Sequence, residues 1–424
     1  MMNSARRSDW DILRILLNKG KSGKSVLMEA VWFGRGKAVK KLIRAGANAN
    51  EQDPSGMTAL IVAAMNGDRF IVKQLIAGGA EVNGHNASGW TALMAAASRG
   101  YQDVVTELID CGADVDATND CGMNAAVFAA SQGHEQLFEM LDSLSKTKVC
   151  VRTLVDSVSR HGQKDILFKL LDRGVDASVV EDALVVVAEN GHYDILVELL
   201  SRYLSMSRTV MNEALKEAAG CGHTDCVFAL LERGSDANTV GNFGSPLLME
   251  AVEWNHLKTM VMDLLRFGAD ANLRGKDGRT ALMVAAANGS AEIVTELLKY
   301  GANVDDVEKY GRNALMYAAA AIEANVDNNV DFLDENQADM LGNAQSAQVL
   351  VEHGINIDAT DFQGRTALMW AAESGMLSVV QRLIALKADV HIRDLTGNTA
   401  LTHAIKQKKT EVIQILTATE SCKG

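Results

Sequence analysis

Residues 275–307 read GKDGRTALMVAAANGSAEIVTELLKYGANVDDV. Gly278 opens a turn. Thr280 stands where a helix N-cap belongs, its hydroxyl placed to accept from a free backbone N–H. Ala281-Leu282-Met283-Val284-Ala285-Ala286 predicts a short helix of small and apolar residues, stopped by Asn288-Gly289. The spacing predicts a second helix from Ala291 to Lys299, with Ile293, Val294, Leu297 and Leu298 facing inward. Gly301 ends it, and Ala302-Asn303-Val304-Asp305 leads into a hairpin-like finger. One such unit cannot bury its apolar face alone. Small residues on the first helix let neighbouring units approach closely, while the Leu and Ile of the second fill the space between layers.

The rest of the chain supplies those neighbours. Thr58-Ala59-Leu60 returns as Thr91-Ala92-Leu93, Thr280-Ala281-Leu282, Thr366-Ala367-Leu368 and Thr399-Ala400-Leu401, with steps of 33 residues from 58 to 91 and from 366 to 399. A fixed period of this size means a stacked repeat and not one globular core. Helix starts are predicted at Ser25, Thr58, Thr91, Asn124, Thr153, Asp182, Glu213, Ser245, Thr280, Asn313, Thr366 and Thr399, after a half unit at 9–20. In the final unit Lys406, Lys408 and Lys409 replace small or neutral residues, giving the polar outer face a terminal repeat needs.

Composition narrows the function. Hydrophobic residues make up 48% of the 424, and the only prolines, Pro54 and Pro246, suit a mostly helical chain. The net charge of −13 repels nucleic acid and anionic membranes and would attract a basic partner. Neither nucleic acid nor membrane is expected as a partner. Six scattered cysteines read as free thiols in a reducing compartment, so a cytoplasmic location is expected. Arg6 and Arg7 are followed by Asp9, Asp11 and Arg14, so no signal peptide is expected.

The pattern Asp-x-x-Gly-x-Thr-x-Leu-x-x-Ala-Ala-x-x-Gly, then Leu-Leu-x-x-Gly-Ala-Asp/Asn-x-Asn/Asp, resembles the ankyrin repeat over nearly the whole chain. The resemblance implies an all-α solenoid of about twelve helix-turn-helix repeats with short β-hairpin fingers. The family's Pro after Thr is usually Ala here, and only Pro246 keeps it. Its His near the helix start is often Met, at Met28, Met94, Met283, Met316 and Met369. The usual Thr-to-His hydrogen bond is then absent, and Met fills the column by packing. The expected layout is a capping half-repeat at 1–24, regular repeats at 25–140, irregular repeats with short fingers at 141–244, repeats with an acidic insertion near 321–343 at 245–398, and a capping repeat at 399–424. In the irregular stretch the spacing shrinks to 29, 29 and 31 residues, which reads as drift or as a change of curvature. The insertion makes the step from Asn313 to Thr366 53 residues and carries acids but no base. It reads as a solvated loop or a binding loop.

Chemical motifs are faint. Gly20-Lys21-Ser22-Gly23-Lys24-Ser25 brushes against a P-loop, but Asn18 stands where its first Gly belongs and a helix precedes it. Cys221, His223 and Cys226 do not have zinc spacing. Asp327, Asn329 and Asp331 lack the Gly and Glu of a calcium loop, having Phe332 and Ala338 instead. No cofactor, metal or catalytic residue is expected, and the chain reads as non-enzymatic.

What remains is surface. In the ankyrin family partners usually contact the finger tips and the end of each first helix, on the concave side. By register this implies Trp32, Phe33, Met57, Met65, Trp90, Arg99, Met123, Arg160 and Glu253. Exposed aromatic and Met side chains are typical interface anchors, although Trp32 and Phe33 read equally as cover for the N-terminal half-repeat. On later fingers Arg274, Lys276, Arg279, Lys309, Tyr310, Arg312, Phe362, Arg365 and Arg393 form a local basic stripe. It would receive an acidic segment, or its arginines simply stabilise the turn before Thr. The expected function is a monomeric protein-binding scaffold that sequesters, inhibits or recruits its partner. The alternatives are an immunity protein against a toxin and a bacterial effector that binds host proteins.

Overall fold

The computed structural model describes residues 26–147, 150–253, 258–320 and 341–421. The half unit at 9–20, the P-loop-like stretch, Ser25 and most of the insertion lie outside them. The chain divides into two compact units, 1–190 and 191–424. The first contains α1 (Val26–Trp32), α2 (Gly36–Arg44), α3 (Ala59–Met65), α4 (Arg69–Ala77), α5 (Ala92–Ser98), α6 (Gln102–Asp110), α7 (Ala125–Ser131), α8 (Glu135–Leu144), α9 (Val151–Arg160), α10 (Lys164–Leu171) and α11 (Ala177–Glu189). The second contains α12 (Tyr193–Arg202), α13 (Arg208–Gly220), α14 (Thr224–Glu232), α15 (Leu247–Glu253), α16 (Lys258–Arg266), α17 (Ala281–Ala287), α18 (Ala291–Lys299), α19 (Ala314–Ala319), α20 (Leu341–Glu352), α21 (Ala367–Ser374), α22 (Leu377–Ala385), α23 (Ala400–Lys406) and α24 (Thr410–Ser421).

Within each unit first helices pack on first helices and second on second. In the first unit α3, α5, α7 and α9 form one file and α2, α4 and α6 another. In the second, α15, α17, α19, α21 and α23 form one file and α12, α14, α16, α18, α20, α22 and α24 the other. The alanines make the close file: Ala64, Ala96, Ala97, Ala285, Ala286, Ala318 and Ala372 are fully buried. Ile71, Leu75, Leu108, Leu297 and Leu383 of the second helices fill the gap between files. Burial of a Leu or Ile side chain stabilises by about 1.5–3 kcal/mol.

Helix starts follow the cap residues. The side chains of Thr58, Thr91, Asn124, Asn313, Thr366 and Thr399 each accept from the backbone N–H three residues on. Thr280 corrects the expectation built on it. It holds the N-cap position and is buried, yet makes no cap bond, and its hydroxyl has no partner. In the irregular stretch α9, α11 and α13 begin at Val151, Ala177 and Arg208, ahead of the predicted Thr153, Asp182 and Glu213. Between 177 and 182, and between 208 and 213, there is no Gly or Pro to break a helix. Val179 and Val180 are buried. The helix therefore runs back over residues that form a finger elsewhere. α15 begins at Leu247 and not at Ser245, because Pro246 is held in a bridge to Val240.

Six fingers are closed by one antiparallel bridge each, such as Gln52 to Thr58, His85 to Thr91 and Thr360 to Thr366. Fingers also bond to their neighbours. Ala87 N–H donates to Ser55 O at 3.1 Å, Asp120 to Ser88 at 3.2 Å, Phe362 to Tyr310 at 3.1 Å and Leu395 to Gln363 at 3.0 Å. Pro54 occupies this donor place in the finger at 53–57, so it leaves no N–H unpaired. A second tie spans repeats: Asn50 accepts from Glu81 N–H at 2.7 Å and donates to Gly79 O at 2.9 Å. Asn83, Asn238 and Asn272 repeat the pair of bonds.

Candidate protein-binding surface

Every finger turns on one residue, whose N–H donates to the carbonyl four residues on. Asp53, Asn86, Asn119, Gly241, Gly275, Glu308, Asp361 and Asp394 hold this place. Where the side chain is Asp or Asn, its oxygen accepts from the N–H groups two and four residues later, as Asp361 does from Gln363 and Arg365 at 2.9 and 2.8 Å. These bonds make the tip rigid and fix the direction of its side chains.

The fingers at 308–312 and 361–365 enclose an open cleft of about 310 Å³, lined by Tyr310, Arg312, Asp361, Phe362, Gln363, Arg365 and Trp370. Trp370 donates its indole N–H to Asp361 Oδ2 at 3.1 Å. Arg365 lies 3.4 Å from the centroid of the Trp370 ring. Arg312 lies 5.1 Å from Tyr310, 5.1 Å from Tyr317 and 5.8 Å from Trp370. Burial pushes the Tyr317 hydroxyl up to about 12, so that ring stays neutral beside the guanidinium. Cation–π contacts in such partly desolvated places contribute about 1–2 kcal/mol each.

The guanidinium groups are neutralised inside the fingers. Arg312 pairs with Glu308 at 2.9 Å, Arg365 with Glu373 at 2.8 Å, and Arg279 with Asp277 and, at 3.7 Å, with Glu253. Their side chains are only 16–17% exposed. Tyr310 and Phe362 are 55% and 69% exposed. The cleft therefore offers solvent two aromatic rings held over a buried ionic floor.

Of the residues singled out in the sequence, Tyr310, Arg312, Phe362 and Arg365 come together in this cleft. Arg274 lies one finger earlier, bonded to Gly278 O and Val307 O and paired with Asp306 at 2.8 Å. Lys276 reaches Phe243 O at 3.4 Å. In the first unit Trp90 is half-buried against Phe128, ring centroids 4.4 Å apart. Met57 accepts at sulfur from Asn86, and Met65 and Met123 are half-buried. Arg99 is exposed at the end of α5, Arg160 pairs with Asp156, and Trp32 and Phe33 are exposed by 52% and 64%. Sequence reasoning missed Trp370, Phe243 and Leu395, the last 80% exposed at a finger tip. Trp370 was legible in one way: it is the fourth residue after its cap, a column that faces the finger turn. Cys226 is buried, which pushes its thiol up to about 11, whereas Cys221 is exposed.

Among the described residues no helix is long and apolar enough to cross a membrane. A family model for ankyrin repeats in three copies matches residues 27–119, 154–240, 248–341 and 337–423. Curated relatives include the potassium channel AKT2/3 of Arabidopsis thaliana, 39% identical over 75 residues, which are 18% of this chain and 9% of the channel. The E3 ubiquitin-protein ligase XBAT33 of the same plant is 39% identical over 87 residues, 20% of this chain and 16% of the ligase. The ankyrin repeat and KH domain-containing protein mask-1 of Caenorhabditis elegans is 27% identical over 143 residues, 33% of this chain and 5% of mask-1. The chain spans less than a fifth of the length of each of these relatives. Family matches across most of the chain and the repeated cap-and-finger geometry agree: this is a member of the ankyrin-repeat family, an all-α repeat protein whose repeats form a protein–protein interaction domain.

Proposed function

We propose that the chain is a non-enzymatic scaffold that grips a partner protein through its finger rows, and that the cleft between Tyr310 and Phe362 is its strongest anchor point. The observation that carries this reading is the pair of exposed aromatic rings in a cleft whose arginines are paired with Glu308 and Glu373. Rigid aromatic anchors lose little conformational freedom on binding and dominate interface energetics. The apolar positions Met57, Trp90 and Met123 of the first unit, and Trp32 and Phe33, supply further contacts. The bound partner is sequestered, inhibited or recruited, in a cytoplasmic setting and by a monomeric chain.

Affinity capture from native lysate, run side by side with wild type and Tyr310→Ala/Phe362→Ala, tests the reading. A protein retained by wild type and lost by the variant, at equal melting temperature, is expected. Equal retention of the same proteins by both would reject the cleft as the anchor.

A further inference from the structure

The solvent-facing sides of the second helices carry a register of their own. At two steps the first and fifth residues of one second helix reach the sixth of the next. Arg69 and Lys73 of α4 pair with Glu107 of α6 at 2.9 and 3.0 Å. With the signs reversed, Glu135 and Glu139 of α8 pair with Lys169 of α10. At α14 and α16 the same three places hold Thr224, Phe228 and Asp263. Among the described residues neither of those two places puts a cation against Asp263, and the cation that acts on it is Arg266 of its own helix.

Around it is an open cleft of about 410 Å³, lined by Tyr193, Thr224, Asp225, Phe228, Thr259 and Asp263. The lining has two carboxylates, two threonine hydroxyls and two aromatic rings, one of them a phenol, and no Lys, Arg or His among the described residues. Burial pushes the Asp263 carboxyl above its usual range, and Arg266 offsets this only in part. Phe228 is steadied by an edge contact with Phe267, centroids 5.7 Å apart, and Tyr193 is 46% exposed. A cation that is flat and donates along its edge fits this lining better than a spherical one. It can lie against an aromatic face while its N–H groups bond carboxylates.

We propose that this cleft is a recognition site for one arginine side chain of a partner protein, with the guanidinium against Tyr193 and Phe228 and its N–H groups on Asp225 and Asp263. The site belongs to the second helices, shares no residue with the finger cleft, and stands or falls separately from it.

Titration of the full chain with N-acetylarginine amide, followed by the amide NMR signals of residues 224–228 and 259–263, tests the proposal. Comparison probes are the amides of N-acetylcitrulline, which has the shape without the charge, and N-acetyllysine. Saturable shifts with the arginine probe are expected. Binding should be weaker by about tenfold for citrulline, for Asp263→Asn and for Asp225→Asn, the loss of one charge-assisted contact. Asp225 is exposed in the first turn of α14, so its variant keeps the test valid should Asp263→Asn not fold. Superimposable arginine and citrulline titrations, wild-type binding by both folded variants, or equally tight lysine binding would overturn the proposal.

Discussion

Glu250 places its carboxylate in the space that a side chain on Gly241 would fill. Oε1 of Glu250 accepts from Phe243 N–H at 2.9 Å and from Ser245 N–H at 3.4 Å. These are the two donors that an Asp at the turn position serves in other fingers, as Asp53 serves Ser55 and Met57. A Cβ on Gly241 would collide with that carboxylate. One repeat has therefore moved its acid from the finger onto the first helix and removed the side chain in its way.

The exchange should be reversible. Gly241→Asp alone brings two carboxylates together and should destabilise by about 2 kcal/mol or more. Glu250→Val alone leaves the finger donors unserved and should cost about 1–3 kcal/mol. The double variant recreates the Asp53 and Val62 combination, and should recover most of both losses. A denaturation cycle giving additive effects would contradict this.

Glu250 also sets a pH dependence. Burial pushes its carboxyl above the usual range, against the pull of the finger N–H groups. A raised folded value means that its stabilising effect is full below the ordinary Glu value and is lost as pH rises through the raised one. Glu250→Gln keeps an acceptor oxygen and removes the charge. Its denaturation midpoint should exceed that of wild type near pH 7 and match it near pH 4. A gain of the same size at both values would assign the effect to packing instead.

Much of this was legible in the sequence, for local reasons. The limits of α18 follow from Gly289 and Gly301 on either side of it, and the close file follows from the alanines. The starts of α11 and α13 were not legible, because Asp182 and Glu213 stand where the period expects a cap while the residues just before them break no helix. The clamp made by Asn50, Asn83, Asn238 and Asn272 was also hidden: an Asn after a helix reads as a turn residue until its partner one repeat away is known. The basic stripe was visible as composition, but its internal neutralisation needed the distances to Glu308 and Glu373.

Two threonines at the same place in the repeat should behave differently. Thr91 accepts from Met94 N–H at 3.3 Å, and Thr91→Ala should cost about 1 kcal/mol. Thr280 is buried with an unpartnered hydroxyl, so Thr280→Val should be neutral or stabilising. Equal losses at both sites in chemical denaturation would refute the distinction.

Lys387 has φ 69 where the equivalent residues Gly79, Gly301 and Gly354 end second helices. An L side chain in this left-handed region costs about 1–2 kcal/mol, partly offset by the freedom glycine gives the unfolded chain. Lys387→Gly should raise stability by about 0.5–1 kcal/mol. A lower melting temperature for the variant would show that the Lys side chain contributes more than its backbone costs.

Hydrogen exchange of the full chain, with and without the protein captured by affinity, bears most directly on how the molecule works. Protection gathered on the fingers at 307–312 and 360–365, and absent in Tyr310→Ala/Phe362→Ala, is the predicted result. Unchanged exchange in both fingers while the partner is bound would contradict it.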